Sequence, residues 1–361
     1  MENREEKVTM LNQLSSPAFF VKDGIITDAN AAALLRQIPV GGDIRPLLVT
    51  GTEEYSQFHC GSLYLTVRVC DIPCSMCVTN VGEYHLFILE QDGDQAELQS
   101  MALVAQILRA PLSNVMTAAD RLFPLTCFDD EPEAQEQIAK LNKGLYQIMR
   151  TVCSMSDAYR YSSENALRTE IREIGALVQE YIDSSAALIA HAGITLRYSG
   201  PNEAVYTLVD AEKLERAVGN ILSNAVKYAA NGSSIDIRLV RRARMLYLTV
   251  QDNGPGIPPQ LRGSVYNRYL RAPGLEDSRF GLGLGMVLIR QTAAAHGGTV
   301  LTEQGKDFGL RLTMTIPIRQ PSDPGVRSPM IHVDYAGGRD HWLLELADCL
   351  PAELYRRERI N

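Results

Sequence analysis

Three short blocks between residues 220 and 286 carry side chains that suit a phosphate-bearing ligand. The first block places Asn220, Asn224 and Lys227 at helical spacing, so that two amides and one ammonium share one helix face. Mg²⁺ takes oxygen ligands and keeps several of its waters, so a single amide oxygen can be enough to anchor it. This block therefore predicts a helix face that faces a hydrated metal ion and phosphate oxygens.

The second block follows an alternating strand pattern over residues 245–250. Asp252 offers a carboxylate directly after that strand, and Gly254 and Gly256 let the backbone approach a flat ring closely before Ile257. A carboxylate beside a glycine turn predicts the base of a ligand pocket.

The third block alternates glycine and leucine ahead of an apolar helical pattern. It reads Gly281, Leu282, Gly283, Leu284 and Gly285. The N–H groups exposed at the start of such a helix attract anions. Each block alone is common in proteins without a nucleotide site, but the three in this order point to one shared ligand.

Together these blocks resemble the nucleotide-binding domain of sensor histidine kinases, which belongs to the wider GHKL ATPase superfamily. The resemblance extends to an aromatic and basic segment at residues 266–271, to His296-Gly297-Gly298 and to a strand at residues 310–317. It covers about residues 95–318. The sequence departs from the family at Arg279, where a glycine is often found, and this leaves the geometry of the lid open.

The resemblance implies a role for individual residues in binding Mg-ATP. Asp252 would accept a hydrogen bond from the adenine amino group and Tyr228 would pack on the ring. Asn224 would hold Mg²⁺, while Lys227 and Arg271 would face the phosphates. In hydrolysing members of the superfamily a glutamate that activates water stands where this sequence has Asn220, so we expect slow hydrolysis.

The elements that would position this site begin with a predicted helical hairpin at residues 95–163. Apolar side chains recur at three- and four-residue steps along both halves, and each half leaves one apolar stripe to bury. Pairing two hairpins would make a four-helix bundle, so we expect a homodimer. The hairpin also resembles the dimerisation and phosphoacceptor domain of histidine kinases.

The phosphoacceptor histidine of that family is missing from this hairpin. Gln106 stands in its place and Ile107 replaces the acidic residue that follows it. An amide nitrogen is not a usable nucleophile for phosphoryl transfer, and isoleucine cannot orient a base. None of the six histidines lies in the hairpin, and we interpret Ser113 and Thr117 as ordinary helix-surface residues. We therefore expect no conventional autophosphorylation.

The N-terminal region has short apolar runs and an early helical segment, followed by three strand-like runs. This order resembles a PAS sensor domain, although that family shares a fold more than a motif. Cys60, Cys70, Cys74 and Cys77 crowd the region. We interpret some of them as small buried residues in strands and a turn, with a metal or redox site as the alternative.

Composition limits the classes of partner. The net charge of −8 argues against nucleic acid, and no apolar run approaches the roughly 18 residues that span a bilayer. Seven cysteines without a signal peptide predict a reducing, cytoplasmic location.

The sequence thus predicts an α+β multidomain chain of four parts. These are a PAS-like α+β domain (1–94), a dimerisation hairpin (95–165), an α/β-sandwich GHKL ATP-binding domain (166–320) and a C-terminal tail (321–361). Within the tail, the pattern over residues 341–350 predicts an apolar helix that caps the ATPase domain; docking to a partner is the alternative.

The leading functional hypothesis is a two-component-type signal transducer that binds ATP and Mg²⁺ and has a response regulator or another signalling protein as a possible partner. The alternative is an active protein kinase that phosphorylates a partner in trans. A nucleotide-free structural dimer is the third hypothesis, and the intact polar set around Asp252 disfavours it.

Overall fold

The N-terminal part is a five-stranded antiparallel sheet with short helices packed against it. The structure, a computed structural model, describes residues 9–90, 94–123, 131–163, 167–229, 232–257, 283–305, 309–320 and 336–356. The strands of this first sheet are β1 (Ala18–Lys22), β2 (Ile25–Ala29), β3 (Ser62–Val69), β4 (Ile72–Val81) and β5 (Tyr84–Leu89). Its helices are residues 9–13, α1 (Ala31–Leu35) and α2 (Thr52–Ser56), with a 3₁₀ turn at Arg45–Leu47.

This part folds because its apolar residues alternate along the strands. Phe19 and Phe87 stack with ring centroids 5.0 Å apart, and Ala33 and Tyr55 from the two short helices join the same core. Asn30 caps α1, since its side-chain oxygen accepts a hydrogen bond from the backbone N–H of Ala33. The early helices and the late antiparallel strands follow the order that the sequence predicts.

The predicted hairpin consists of α3 (Asp94–Leu122) and α4 (Pro132–Ser163), which pack against each other. Pro132 stands at the first helical position of α4, where its missing N–H costs nothing. The predicted loop residues 124–130 lie outside the described residues.

Helix α3 has apolar side chains on more of its surface than the face that packs against α4. The residues buried within the chain are Leu98, Ala105, Leu112, Met116 and Ala119, and those exposed are Leu103, Val104, Ile107, Leu108, Val115 and Leu122.

The C-terminal part packs helices on one face of a second set of strands. The helices are α5 (Ile174–Ala190), α6 (Ala211–Tyr228) and α7 (Gly285–His296). The strands are β6 (Glu170–Glu173), β7 (Thr195–Ser199), β8 (Tyr206–Val209), β9 (Ser234–Arg242), β10 (Met245–Gln251), β11 (Val300–Gln304) and β12 (Leu310–Pro317). In β10 the residues Leu246, Leu248 and Val250 are buried against the helices while the residues between them are half-buried, which is the alternation the sequence predicts.

The two sets of strands form one continuous sheet. The strand order is β2-β1-β5-β4-β3-β11-β12-β10-β9-β7, and strands β6 and β8 form a separate pair. The junction is antiparallel and short: Tyr64 pairs with Val300 and Ser62 pairs with Thr302. Edge strands present unpaired N–H and C=O groups, so this pairing satisfies an edge on each side. The predicted sensor and ATP-binding domains are therefore joined through backbone hydrogen bonds.

The C-terminal segment, residues 336–356, packs on α4, α5 and α6. Its helix α8 (His341–Glu345) is shorter than the predicted 341–350, because the chain continues in tighter turns as far as Pro351 and then forms a 3₁₀ turn at Ala352–Tyr355. Trp342 and Leu350 are buried in the main core.

Membrane crossing requires a helix that is both long and strongly apolar. Among the helices in the described ranges we find none that meets both conditions.

Candidate functional site

Helix α6 carries the first chemical block, and its start is fixed by Asp210. The Asp210 side chain accepts a hydrogen bond from the backbone N–H of Lys213 at 3.1 Å, as expected of an N-cap. The backbone N–H of Asp210 donates to Nε2 of His296 at 3.1 Å. The histidine of the His-Gly-Gly turn thus holds the start of α6 against the end of α7.

The three chemical blocks meet at the C-terminal half of α6. Gly254 lies so close to the carbonyl of Tyr228 that a Cβ atom at this position would collide with it. A Cβ at Gly285, the first residue of α7, would lie 3.0 Å from Oδ1 of Asn220. The structure therefore brings the asparagine block, the aspartate block and the end of the glycine block to one place.

Asp252 lies at the base of this junction and is only 5% exposed. Its Oδ1 accepts hydrogen bonds from the backbone N–H groups of Gly254, at 2.8 Å, and Leu310, at 3.0 Å. Burial raises the pKa of the Asp252 carboxyl, and these two hydrogen bonds oppose that effect. Both bonds fix the side chain at the start of the turn that Gly254 makes possible.

Tyr228 and Asn224 stand one helical turn apart on α6. Tyr228 is 43% exposed, and partial burial raises the pKa of its hydroxyl. Asn224 is half-buried, with its Nδ2 3.7 Å from the sulfur of Met286 at the start of α7. A partly exposed aromatic side chain, an amide and a buried carboxyl group are the kinds of groups that suit a planar base with an amino group.

The other predicted glycine-block and turn residues fall into two groups. Ile257 packs against the main core, Leu284 is buried at the start of α7, and Gly256 and Gly283 have positive φ angles of 72° and 71°. The remaining residues lie outside the described residues; they are Arg271, Gly281 and Leu282.

Lys227 and Asn220 bind groups from the hairpin and the tail. Lys227 Nζ lies 3.0 Å from Oδ2 of Asp348, and Arg150 Nη2 donates to Oδ1 of Asn220 at 3.3 Å. Burial lowers the pKa of Lys227 and the neighbouring Arg150 cation adds to this, while Asp348 opposes both. Sequence reasoning missed Arg150 and Asp348. No local pattern marks them, since their partners lie 70 and 121 residues away along the chain.

The degenerate acceptor position lies on α3. Gln106 is exposed and Ile107 is 65% exposed, so both side chains point away from the core of their own chain. Nearby, the Thr117 hydroxyl donates to the carbonyl of Ser113 at 2.9 Å, which is the local bond such residues make on helix surfaces.

The four cysteines of the N-terminal region differ in exposure. Cys60 and Cys70 are exposed, Cys74 is half-buried and Cys77 is buried, and burial raises the pKa of the Cys77 thiol to about 12. Within the described ranges, no group of three or more His, Cys, Asp and Glu side chains is arranged to hold a metal ion.

Comparison with known families gives one match inside this region. Residues 209–320 match the family described as histidine kinase-, DNA gyrase B-, and HSP90-like ATPase. The matched segment runs from the start of α6 through β12, and it contains Asn220, Tyr228 and Asp252. The predicted α+β fold with a GHKL ATPase domain is thereby confirmed.

Similar proteins extend the match beyond that segment. Adaptive-response sensory kinase SasA of Synechocystis sp. is 25% identical over 245 residues, which is 64% of this chain and 64% of that protein. Swarming motility regulation sensor protein RssA of Serratia marcescens is 28% identical over 227 residues, 62% of this chain and 47% of that protein. Sensor protein kinase PmrB of Pseudomonas aeruginosa is 25% identical over 248 residues, 65% of this chain and 49% of that protein. The chain spans less than two thirds of the length of each of these relatives.

A solved structure shares the fold. The crystal structure of full-length ShkA in complex with AMPPNP has a TM-score of 0.51 and 20% identity, and the likeness covers 63% of this chain and 47% of that chain.

Proposed function

Residues 209–320 belong to the histidine kinase-, DNA gyrase B-, and HSP90-like ATPase family, and from this premise we propose that the protein is a signal transducer of the sensor histidine kinase type that binds Mg-ATP. The observation that carries the proposal is the close approach of the Gly254 turn, which Asp252 holds, to Tyr228 at the end of α6, with Asn224 one helical turn earlier. These side chains combine a buried acceptor for an amino group with an aromatic face and an amide oxygen.

The residues around the junction fit ATP from its base to its phosphates. Asp252 would accept from the adenine amino group, Tyr228 would pack on the ring and Asn224 would hold Mg²⁺. Lys227 is a cation on the same helix for the phosphates, and it is paired with Asp348 here. When bound, Mg-ATP supplies a γ-phosphoryl group, and the protein contributes positioning and charge neutralisation.

Transfer to this chain's own hairpin lacks an acceptor. Gln106 is an exposed amide and Ile107 an exposed alkyl side chain, so neither can accept a phosphoryl group or orient a base. Asn220 is buried, with its amide bonded to Arg150 and to the carbonyl of Arg216, and an amide does not act as a general base toward water. The proposed protein holds nucleotide without autophosphorylation and hydrolyses it slowly.

The exposed apolar face of α3 supports a homodimer through residues 95–165. Leu103, Ile107, Val115 and Leu122 are each more than half exposed on this helix. A row of apolar side chains on a hairpin that packs on itself along its other face fits a second copy of the same hairpin. A response regulator or another signalling protein would be the downstream partner.

The N-terminal part would be the sensor. Its short early helices and late antiparallel strands support a PAS-like domain, and its sheet is continuous with that of the nucleotide domain. The described part of the chain contains no disulfide bond, which supports the cytoplasm as the compartment.

Incubation with γ-labelled ATP and Mg²⁺ tests the proposal. Wild-type protein is expected to bind ATP and stay unlabelled, while a Gln106→His, Ile107→Glu double variant is expected to label on α3. Labelling of the wild type would contradict the proposal. Transfer of label from the wild type to a partner protein, lost on Asn224→Ala, would instead establish the alternative of a kinase that acts in trans.

A further inference from the structure

Asp348 of the C-terminal segment binds two cations beside the nucleotide-binding region. Its Oδ2 accepts from Lys227 Nζ at 3.0 Å and also from Nη1 of Arg150. All three side chains are at least nine-tenths buried. Although burial opposes ionisation, the two cations hold the pKa of the Asp348 carboxyl below its usual range. A buried anion thus occupies the position between a hairpin arginine and the lysine of the asparagine block.

A second acid from the same segment extends this contact. Glu345 bonds Arg216 of α6, which also pairs with Asp157 of α4 at 2.8 Å. The cluster of Arg150, Asp157, Arg216, Lys227, Glu345 and Asp348 contains three cations and three acids. Without the two acids of the tail, three cations would face the single acid Asp157. An exposed cluster with two excess positive charges attracts a polyphosphate.

The surface of α6 is shaped to let the tail approach. Gly219 stands in the middle of this helix, where glycine is less favourable than alanine. A Cβ at Gly219 would lie 2.8 Å from Cγ of Glu345. A glycine at this point accommodates the tail, and the next residue along the helix is Asn220 of the site.

One contact between the cations and the acids of the tail is too long to be a hydrogen bond, and this favours exchange of the carboxylates for another anion. Nε of Arg150 and Oε2 of Glu345 are 3.9 Å apart, too far for a hydrogen bond. Buried ion pairs recover little net stability because the desolvation of both charges opposes their attraction. A ligand that offers several negative charges to the same cations can therefore replace the carboxylate.

We propose that Asp348 of the C-terminal segment is an intramolecular competitor of the nucleotide phosphates for Lys227 and Arg150. When a nucleoside triphosphate binds, the Asp348 carboxylate gives up both cations and they bind the phosphates, so Arg150 of the hairpin becomes a phosphate-binding residue. The apolar side chains of the segment, such as Trp342 and Leu350, stay in the core. This inference rests on the proposed ATP site and adds its regulation: displacement of the Asp348 carboxylate and occupation of the site by phosphates are one event.

The single tryptophan of the chain shows whether the exchange stays local. Trp342 lies in α8, is 6% exposed and packs against Tyr181 with ring centroids 6.0 Å apart. Titration of the protein with Mg-ATP should leave the Trp342 emission maximum unchanged, because its ring stays in the core. A shift to longer wavelength would mean that the whole segment leaves, which would contradict a local exchange.

Asp348→Asn should strengthen binding of Mg-ATP about tenfold, because it removes the competing charge, and leave the affinity for adenosine unchanged. Glu353→Gln is the matched control, since this exposed acid lies in the same segment and loses the same charge. Gly219→Ala is a second variant that displaces Glu345 sterically, should Asp348→Asn fail to fold, and it should act in the same direction.

The outcomes distinguish a failure of the competitor role from a failure of the proposed ATP site. If Mg-ATP binds with equal affinity to the wild type, Asp348→Asn and Gly219→Ala, while adenosine still binds, the competitor role is wrong and the ATP site stands. If neither ATP nor adenosine binds to any of these proteins, the proposed function fails, and the inference fails with it.

Discussion

Arg290 and Tyr64 are linked across the junction between the two halves of the sheet. Nη1 of Arg290 donates to the Tyr64 hydroxyl at 3.1 Å, and the guanidinium carbon lies 5.1 Å from the centre of the Tyr64 ring. Arg290 also forms an ion pair with Glu90, at the end of β5 and just before the hairpin. Burial disfavours its charge, but Tyr64 and Glu90 raise the pKa of Arg290. One buried side chain of α7 thus contacts strand β3 of the N-terminal sheet and Glu90, the residue that follows β5.

Arg290→Met is expected to destabilise the protein by about 3 kcal/mol, because removing one member of a buried pair leaves the other charge uncompensated. Glu90 is partly exposed, so the loss should fall at the low end of the range for buried pairs. The midpoint of urea unfolding measures the effect. Lys140→Met is the control: its ion pair with Glu136 is exposed on α4 and should contribute little to stability. Equal effects of the two substitutions would contradict the role of Arg290.

Local patterns predicted the elements of the nucleotide domain well. The strands at Leu310–Pro317 and Met245–Gln251, and the helix that carries Asn220, Asn224 and Lys227, are found where the sequence places them. Period-two alternation and helical spacing are local properties, so the residues that carry them are enough to predict these elements. The meeting of Tyr228 with Gly254 followed from the order of the blocks.

Long-range partners could not be predicted in the same way. The pairing of β3 with β11 joins residues more than 230 positions apart, and nothing in either apolar run specifies the other as its neighbour. Lys227 looks like a phosphate-facing cation in the sequence, but the structure pairs it with Asp348. The sequence around a charged side chain does not show which distant counter-ion lies beside it in the folded chain.

Asp252→Asn should weaken ATP binding about tenfold or more. The amide oxygen can still accept from the N–H groups of Gly254 and Leu310, so the turn should keep its shape. What is lost is the negative charge for the adenine amino group, and hydrogen bonds to charged groups contribute about 1.5–3 kcal/mol. Isothermal titration calorimetry with Mg-ATP measures the change.

The matched control for this change is Asp236→Asn. Asp236 lies on β9 between the buried residues Ile235 and Ile237, so its side chain is on the opposite face of the sheet from the helices. Its substitution should leave ATP affinity within twofold of the wild type, roughly the scatter of surface changes. An unchanged affinity of Asp252→Asn for Mg-ATP would contradict the assignment of Asp252 to adenine binding.

Val115→Asp should convert a dimer into a monomer. Val115 is 52% exposed on the apolar face of α3, and burying an unpaired carboxylate between two hairpins is costly. We expect the dimer dissociation constant to rise at least about a hundredfold, which corresponds to about 2.7 kcal/mol. Light scattering coupled to size-exclusion chromatography measures the mass. Asn114→Asp adds the same charge at the neighbouring exposed position and should leave the dimer intact. A wild-type protein that is already monomeric would refute the dimer.

His296 should make the stability of the nucleotide domain fall in mild acid. Burial lowers the pKa of its imidazole; its Nδ1 donates to the carbonyl of Thr292 at 2.8 Å and its Nε2 accepts from the N–H of Asp210. Of the charged groups that face it, Asp210 raises this pKa and Lys213 and Arg319 lower it. Because the pKa is lower in the folded state, the unfolded state binds more protons below pH about 6.5, and stability is lost as the pH falls from there through the folded pKa.

His296→Gln should remove part of that pH dependence, since an amide can donate and accept like the neutral ring without taking up a proton. We expect a loss of about 1–2 kcal/mol at pH 8, from imperfect packing, and a flatter stability profile between pH 7 and pH 5. His191→Gln, at the exposed end of α5, is the control and should leave the profile unchanged. Urea unfolding across this pH range measures the free energy of unfolding. Parallel profiles for wild type and His296→Gln would show that His296 is not the group that titrates, and the acid sensitivity would then belong to another residue.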